Sequence, residues 1–134
     1  MIELNPENVC FIIDKAREFH AKESVVIPER PLDSSDDWAL QTLADHQDDP
    51  SYLEAKAAIE DLEPDQQMTM VALMWLGRGD FIMEEWSEAL ADAKDRWTQY
   101  TADYLLGTPL VADYLEEALS LHGYSCTEGD YHAR

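Results

Sequence analysis

The chain has 134 residues, 46% of them hydrophobic, with four Trp, six Tyr and three Phe, which suits one globular domain with a buried core and excludes a disordered chain. Its 29 Asp and Glu against 9 Lys and Arg give a formal net charge of -20, which repels phosphate backbones and anionic lipid, so neither nucleic acid nor a membrane is an expected partner. The longest apolar run is far short of the ~20 residues that span a bilayer, and the N-terminus lacks the basic and apolar regions of a secretory signal, so a cytoplasmic protein is expected.

Two readings of the acidity stand side by side. One is solubility, including solubility in a salt-rich cytoplasm where screening removes self-repulsion. The other is an acidic surface that docks a basic partner or mimics nucleic acid. The two cysteines, Cys10 and Cys126, show no paired spacing and no CxxC, so neither a disulfide framework nor a zinc site is expected. Cys10 lies within a helical pattern and reads as a buried structural residue.

In chain order, Asn5-Pro6 pairs a good capping residue with proline at the first helical position. Val9, Ile12, Ile13, Ala16 and Phe19 follow at helical spacing and carry this helix to about Lys22. Residues 24–37 read as an irregular loop, because Pro28 and Pro31 forbid a helix there. A second helix is expected from Ser34-Ser35-Asp36-Asp37 to Asp49, with Trp38, Leu40 and Leu43 on its apolar side. Asp49-Pro50 starts a third, with a stripe of Tyr52, Leu53, Lys56, Ile59 and Leu62.

The next stretch organises the chain. From Met68 to Leu76 only Thr69 is not apolar, so the helix over 64–76 has no polar face and is expected to be surrounded by the others. Gly77 reads as the left-handed residue that ends it. A long amphipathic helix is expected over 82–106, with Met83, Trp86, Leu90, Ala93, Trp97, Tyr100 and Tyr104 spaced alternately by three and four. Gly107 ends it, Thr108 caps the last helix and Pro109 takes that helix's first position, followed by Leu110, Val111, Tyr114, Leu115, Ala118 and Leu119. Gly123 closes this helix. Residues 124–134 show no periodicity and are expected to form a flexible tail beyond a single domain over 1–123. The fold class is all-α, a compact bundle of about five to six helices around the buried helix 64–76.

Several stretches share a pattern: Val9-Cys10-Phe11-Ile12-Ile13 with Lys15-Ala16-Arg17-Glu18-Phe19, Val71-Ala72-Leu73 with Trp75-Leu76-Gly77-Arg78-Gly79-Asp80, Tyr104-Leu105-Leu106-Gly107-Thr108-Pro109-Leu110, and Asp113-Tyr114-Leu115-Glu116-Glu117. Through them the chain resembles a bacterial family known as domain of unknown function 3775. The resemblance implies a bacterial cytoplasmic protein and supplies no activity, cofactor or site.

The residues themselves name no reaction. A di-iron bundle needs Glu-x-x-His pairs, and the residues three before His20, His46, His122 and His132 are Arg17, Leu43, Leu119 and Gly129. Glu84, Glu88, Asp92 and Asp95 line one side of the long predicted helix, and read as a solvated acidic face. Cys10 and His20 share a helix but stand ~15 Å apart along it, too far to pair. No cofactor or metal is expected. One turn stands out, because Arg78 is isolated between glycines with Trp75 and Trp86 near in sequence, a combination suited to grip a carboxylate or phosphate. Its structural reading is a hinge: Gly77 and Gly79 give special backbone angles, Arg78 faces the carbonyl end of one helix and Asp80 the amide end of the next. The expectation is a small acidic, non-enzymatic interaction or regulatory protein with a protein partner or a second copy of itself. The alternative is a small-ligand-binding protein or enzyme with an anion site at Arg78, Gly79, Asp80, Trp75 and Trp86.

Overall fold

Proline directly after a residue that can cap a helix starts three of the helices. Asn5 Oδ1 accepts from the Glu7 amide at 2.9 Å and opens α1, Pro6–His20. Asp49 Oδ1 accepts from the Ser51 and Tyr52 amides at 2.8 and 3.3 Å and opens α2, Pro50–Glu60. At Glu63 the amide donates to Gln66 Oε1 at 3.1 Å, ahead of α3, Pro64–Arg78. Each side-chain bond satisfies one of the amides that a helix start leaves without a partner.

The computed structural model describes residues 4–21, 49–127 and 130–133. The irregular loop over 24–37 and the second expected helix, from Ser34 to Asp49, lie outside them except for Asp49 itself. The remaining helices are α4, Trp86–Arg96, preceded by a 3₁₀ turn at Met83–Glu85, then α5, Thr101–Leu106, and α6, Val111–Leu121. A hairpin follows, in which β1, Tyr124–Thr127, pairs antiparallel with β2, Asp130–Ala133. The fold is all-α, six helices among the described residues, with this small hairpin at its end.

Helix α3 is the centre, as its composition requires: Thr69 to Leu76 are all buried, and the helix packs on α4, α5 and α6. Helix α1 buries Val9, Ile12, Ile13, Ala16 and Phe19 and packs on α2 and α6. Among the described residues no helix is long and apolar enough to cross a membrane.

The structure corrects four expectations. The long helix over 82–106 is two helices, because the chain leaves helical geometry at Trp97, whose ψ is 136°. The hydroxyls of Thr98 and Thr101 then take over the local backbone: Thr101 Oγ1 donates to the Thr98 carbonyl at 2.7 Å, and Thr98 Oγ1 accepts from the Tyr100 amide at 3.1 Å. Such bonds compete with a helical ladder. Trp97 and Tyr100 come out exposed rather than in the core, while Ala89, Ala93 and Tyr104 are buried.

Second, Gly77 does not end α3. It is helical, and a Cβ on it would stand 1.8 Å from the Tyr114 carbonyl oxygen of α6. Its role is close approach, and the left-handed residue is Gly79, with φ 95°. Third, Thr108 does not cap α6. Its hydroxyl donates back to the Tyr104 carbonyl at 2.9 Å, and Leu110, exposed and left-handed at φ 62°, precedes the helix instead.

Fourth, Cys10 and Cys126 form a disulfide, with Cα atoms 5.6 Å apart. They lie 116 residues apart, so spacing carried no signal of it. The bond ties β1 to α1, and the hairpin packs on α6 and α1 where the sequence showed no element.

Candidate functional site

The end of α3 builds a rigid corner. Gly79 donates to the Leu76 carbonyl at 3.1 Å and Asp80 to the Trp75 carbonyl at 2.9 Å, the paired bonds that close a helix through a left-handed glycine. Closing the turn brings Asp80 back beside Arg78. Its Oδ2 accepts from Arg78 Nε at 2.9 Å and from Nη2 at 2.7 Å. The Arg78 side chain is only 12% exposed. Its Nη1 is buried and has no hydrogen-bond partner. A charged donor in that position carries a desolvation cost that no protein acceptor offsets.

Arg78 borders a cavity of about 200 Å³. The inner walls are aromatic: Trp75 and Tyr104, both buried, and Phe81, half-buried. Trp75 Nε1 donates to the Tyr104 hydroxyl at 2.9 Å, which fixes both rings, and the Phe81 ring lies tilted against Trp75 with centroids 6.0 Å apart. The rim is charged and exposed. It carries Asp80 from the turn and Asp92 and Arg96 from α4, the last with its guanidinium carbon 6.0 Å from the centre of the Trp75 ring.

Of the five residues expected from sequence, Trp75, Arg78 and Asp80 line this cavity and Gly79 makes the turn that shapes it. Trp86 does not. Its ring meets His122 edge-on at 4.5 Å, away from the cavity. Nor does Asp80 serve the next helix, since Glu85 accepts from the Ile82 amide at 3.0 Å at that start. The sequence reading missed Phe81, Asp92, Arg96 and Tyr104. Phe81 is adjacent to the turn, and Asp92 and Arg96 are one helical turn apart on α4, but only the fold brings them to Arg78.

Other titratable groups are engaged elsewhere. The Tyr52 hydroxyl donates to Asp103 Oδ1, and Lys56 Nζ stands 3.3 Å from the same oxygen. Burial, with Asp103 beside it, pushes the Tyr52 hydroxyl above its ordinary value. His20 Nε2 lies 2.8 Å from the Leu106 carbonyl oxygen, and burial holds the ring below the usual imidazole value, as it also does for His122. Cys10 is bonded to Cys126 and offers no thiolate. Glu84, Glu88, Asp92 and Asp95 are all exposed, and among the described residues no group of three or more His, Cys, Asp or Glu is placed to hold a metal ion.

Residues 52–124 match the family described as "Protein of unknown function (DUF3775)", more than half of the chain. The chain belongs to this family. No curated protein and no solved structure matches it. The DUF3775 match spans every residue that lines the Arg78 cavity, and it leaves out α1 and Cys126.

Proposed function

We propose that the protein binds a small molecule bearing a carboxylate in the Arg78 cavity. One observation carries this reading: two arginines, Arg78 and Arg96, line one cavity walled by the rings of Trp75, Phe81 and Tyr104. A ligand carboxylate seated there would pair with a guanidinium. The distribution of charge supports it too. Two of the nine Lys and Arg of a chain with 29 Asp and Glu lie on this one cavity. The volume matches about seven liquid waters, so the ligand is smaller than a nucleotide.

The test is thermal denaturation with acetate, benzoate and inorganic phosphate. Benzoate raises the melting temperature in a concentration-dependent way, and Arg78→Leu abolishes the shift while the variant still melts cooperatively. No shift with any of the three overturns the proposal.

A second reading rests on the formal charge of -20, which favours an acidic face that docks a basic protein in a bacterial cytoplasm. Crosslinking in native extract then recovers a partner that salt removes, and recovery of nothing above background sinks it. Light scattering separately shows whether the partner is a second copy. The cytoplasmic placement has its own test, since reducing compartments keep thiols free. Alkylation of freshly opened cells labels Cys10 and Cys126 if that placement is right, and neither if the protein resides in an oxidising compartment.

A further inference from the structure

The Cys10–Cys126 disulfide joins two very different settings. Cys10 is wholly buried within α1, as are Val9 and Ile13 on the same helix. Cys126 is half-buried on β1. In the described structure β1 and β2 pair with each other and with no other strand, and a two-stranded ribbon is marginally stable by itself. The hairpin therefore depends on its seat against α1 and α6, where Tyr124 and Cys126 pack on the core. The helices do not depend on the hairpin in the same way. Helix α3 packs on α4, α5 and α6, and α1 on α2 and α6, through contacts that do not pass through either strand. The chain holds two cysteines, so this pair has no other partner within it to exchange with.

We propose that this disulfide is a reversible redox latch: a dithiol reductant opens it, and opening lifts the hairpin from α1 and α6 while the helices stay folded. A thiolate of the reductant attacks the sulfur of Cys126, the more exposed of the two residues. A bond forms between reductant and Cys126, the Cys10–Cys126 bond breaks, and the Cys10 sulfur leaves as a thiolate that takes up a proton. The second thiol of the reductant then attacks the reductant sulfur held on Cys126. It closes an internal disulfide in the reductant and releases Cys126, which is protonated in turn. Two electrons pass from the dithiol to the protein. An adduct on Cys126 cannot occupy the place beside buried Cys10, so the first exchange already displaces β1. Closure is the reverse exchange, in which a small disulfide is reduced and the two cysteines are oxidised. Opening uncovers the part of α1 around Cys10 and the adjoining surface of α6. The region that matches the family lies between the two cysteines and contains neither, which suits a bond that controls an added element rather than one that holds the helices together.

The experiment treats the full chain with dithiothreitol, without denaturant, and then replaces the dithiol with oxidised glutathione. Alkylation followed by mass measurement counts the thiols, and hydrogen exchange is read in each state. Both cysteines become labelled under dithiothreitol. The amides of 124–127 then exchange at least about tenfold faster than in the oxidised chain, while those of α3 keep their protection. Glutathione disulfide restores the bond and the protection of 124–127. Cys126→Ser, which cannot close, shows the fast exchange in both buffers. Reduction that proceeds only in denaturant overturns the proposal and makes the bond a fixed staple. Loss of protection throughout α3 on reduction overturns it too, because the bond then supports the whole fold. Equal protection of 124–127 in both states means that nothing is switched, and failure of the bond to re-form means that the change is not reversible.

Discussion

On the side of α3 that faces α6, Gly77 leaves no room for a methyl group, because a Cβ there would stand 1.8 Å from the Tyr114 carbonyl oxygen. About 100° further round the helix, the next residue, Arg78, borders about 200 Å³ of open space. The closed half of the molecule comprises α1, α3, α6 and the hairpin: Ile12, Ile13, Phe19, Leu73, Leu115 and Leu119 are fully buried there, and a disulfide fastens its end. The open corner, between the end of α3, α4 and α5, keeps a cavity and a buried donor with no acceptor. Close packing to near-crystal density is what a chain reaches wherever nothing prevents it. A corner that stops short, in the same helical turn that elsewhere tolerates no methyl, is what the proposed ligand site rests on.

The two glycines of that turn give the sharpest way to break the comparison. Gly77→Ala drives a methyl into backbone, which cannot rotate away, so α3 and α6 must separate. The expected loss is more than about 4 kcal/mol in urea denaturation, at the top of the range for single substitutions. Gly79→Ala meets nothing within 4 Å and suffers only the left-handed backbone at φ 95°, a loss of about 1–2 kcal/mol. Equal losses at the two positions would mean that the α3–α6 contact is not close.

The next effect tests how the closed half is fastened. Cys126→Ser frees β1 from α1 and lengthens the unfolded chain's freedom across 116 residues, which costs about 2–4 kcal/mol. Hydrogen exchange localises the change: amides of 124–127 lose protection in the variant while those of α3 keep theirs. Unchanged exchange over 124–127 would show that packing alone holds the hairpin.

Smaller still is the effect at a polar cluster that, unlike Arg78, is complete. Tyr52, buried in α2, and Lys56 converge on Asp103 of α5. Tyr52→Phe removes one donor and leaves Lys56 on the carboxylate, a loss of about 1–2 kcal/mol in denaturation midpoint analysis. It leaves the proposed ligand binding at the Arg78 cavity unchanged, which separates a cluster that joins helices from one proposed to hold a ligand as well.

Much of the closed half was legible in the sequence, and much of the corner was not. Asn5-Pro6 and Asp49-Pro50 announce their helices because capping is local. The Met68 to Leu76 run places α3 at the centre because only a surrounded helix can be apolar all round. Trp75, Arg78 and Asp80 were found because one turn holds them. The break between α4 and α5 was hidden, since Ala93, Trp97, Tyr100 and Tyr104 keep helical spacing straight across it and the Thr98 and Thr101 hydroxyls that end the ladder leave no mark on that spacing. The same break misplaced the partners of Arg78, because a single straight helix would not have been expected to fold Tyr104 back over Trp75. Two cysteines at opposite ends of the chain, and a glycine whose reason lies on another helix, are likewise facts of three dimensions.

The last and smallest effect is electrostatic and compares two half-buried histidines. His20 bonds the Leu106 carbonyl oxygen, whereas His122 lies edge-on to Trp86 with a buried Nε2 that has no partner. Burial holds both below the ordinary imidazole value. The unfolded chain therefore binds protons before the folded one as the pH falls, so this contribution to stability is complete above the unfolded value near 6.5 and is lost as the pH falls through the lower folded values. Acidification also relieves self-repulsion in a chain of charge -20, which acts in the opposite direction. The histidine contribution is thus read as a difference between proteins. From pH 7.5 to 5.5 the His20→Gln, His122→Gln double variant loses less stability than the unmodified protein. Parallel pH profiles would show that neither ring is shielded enough to matter, and single variants would assign the slope to the bonded ring or to the unpartnered one.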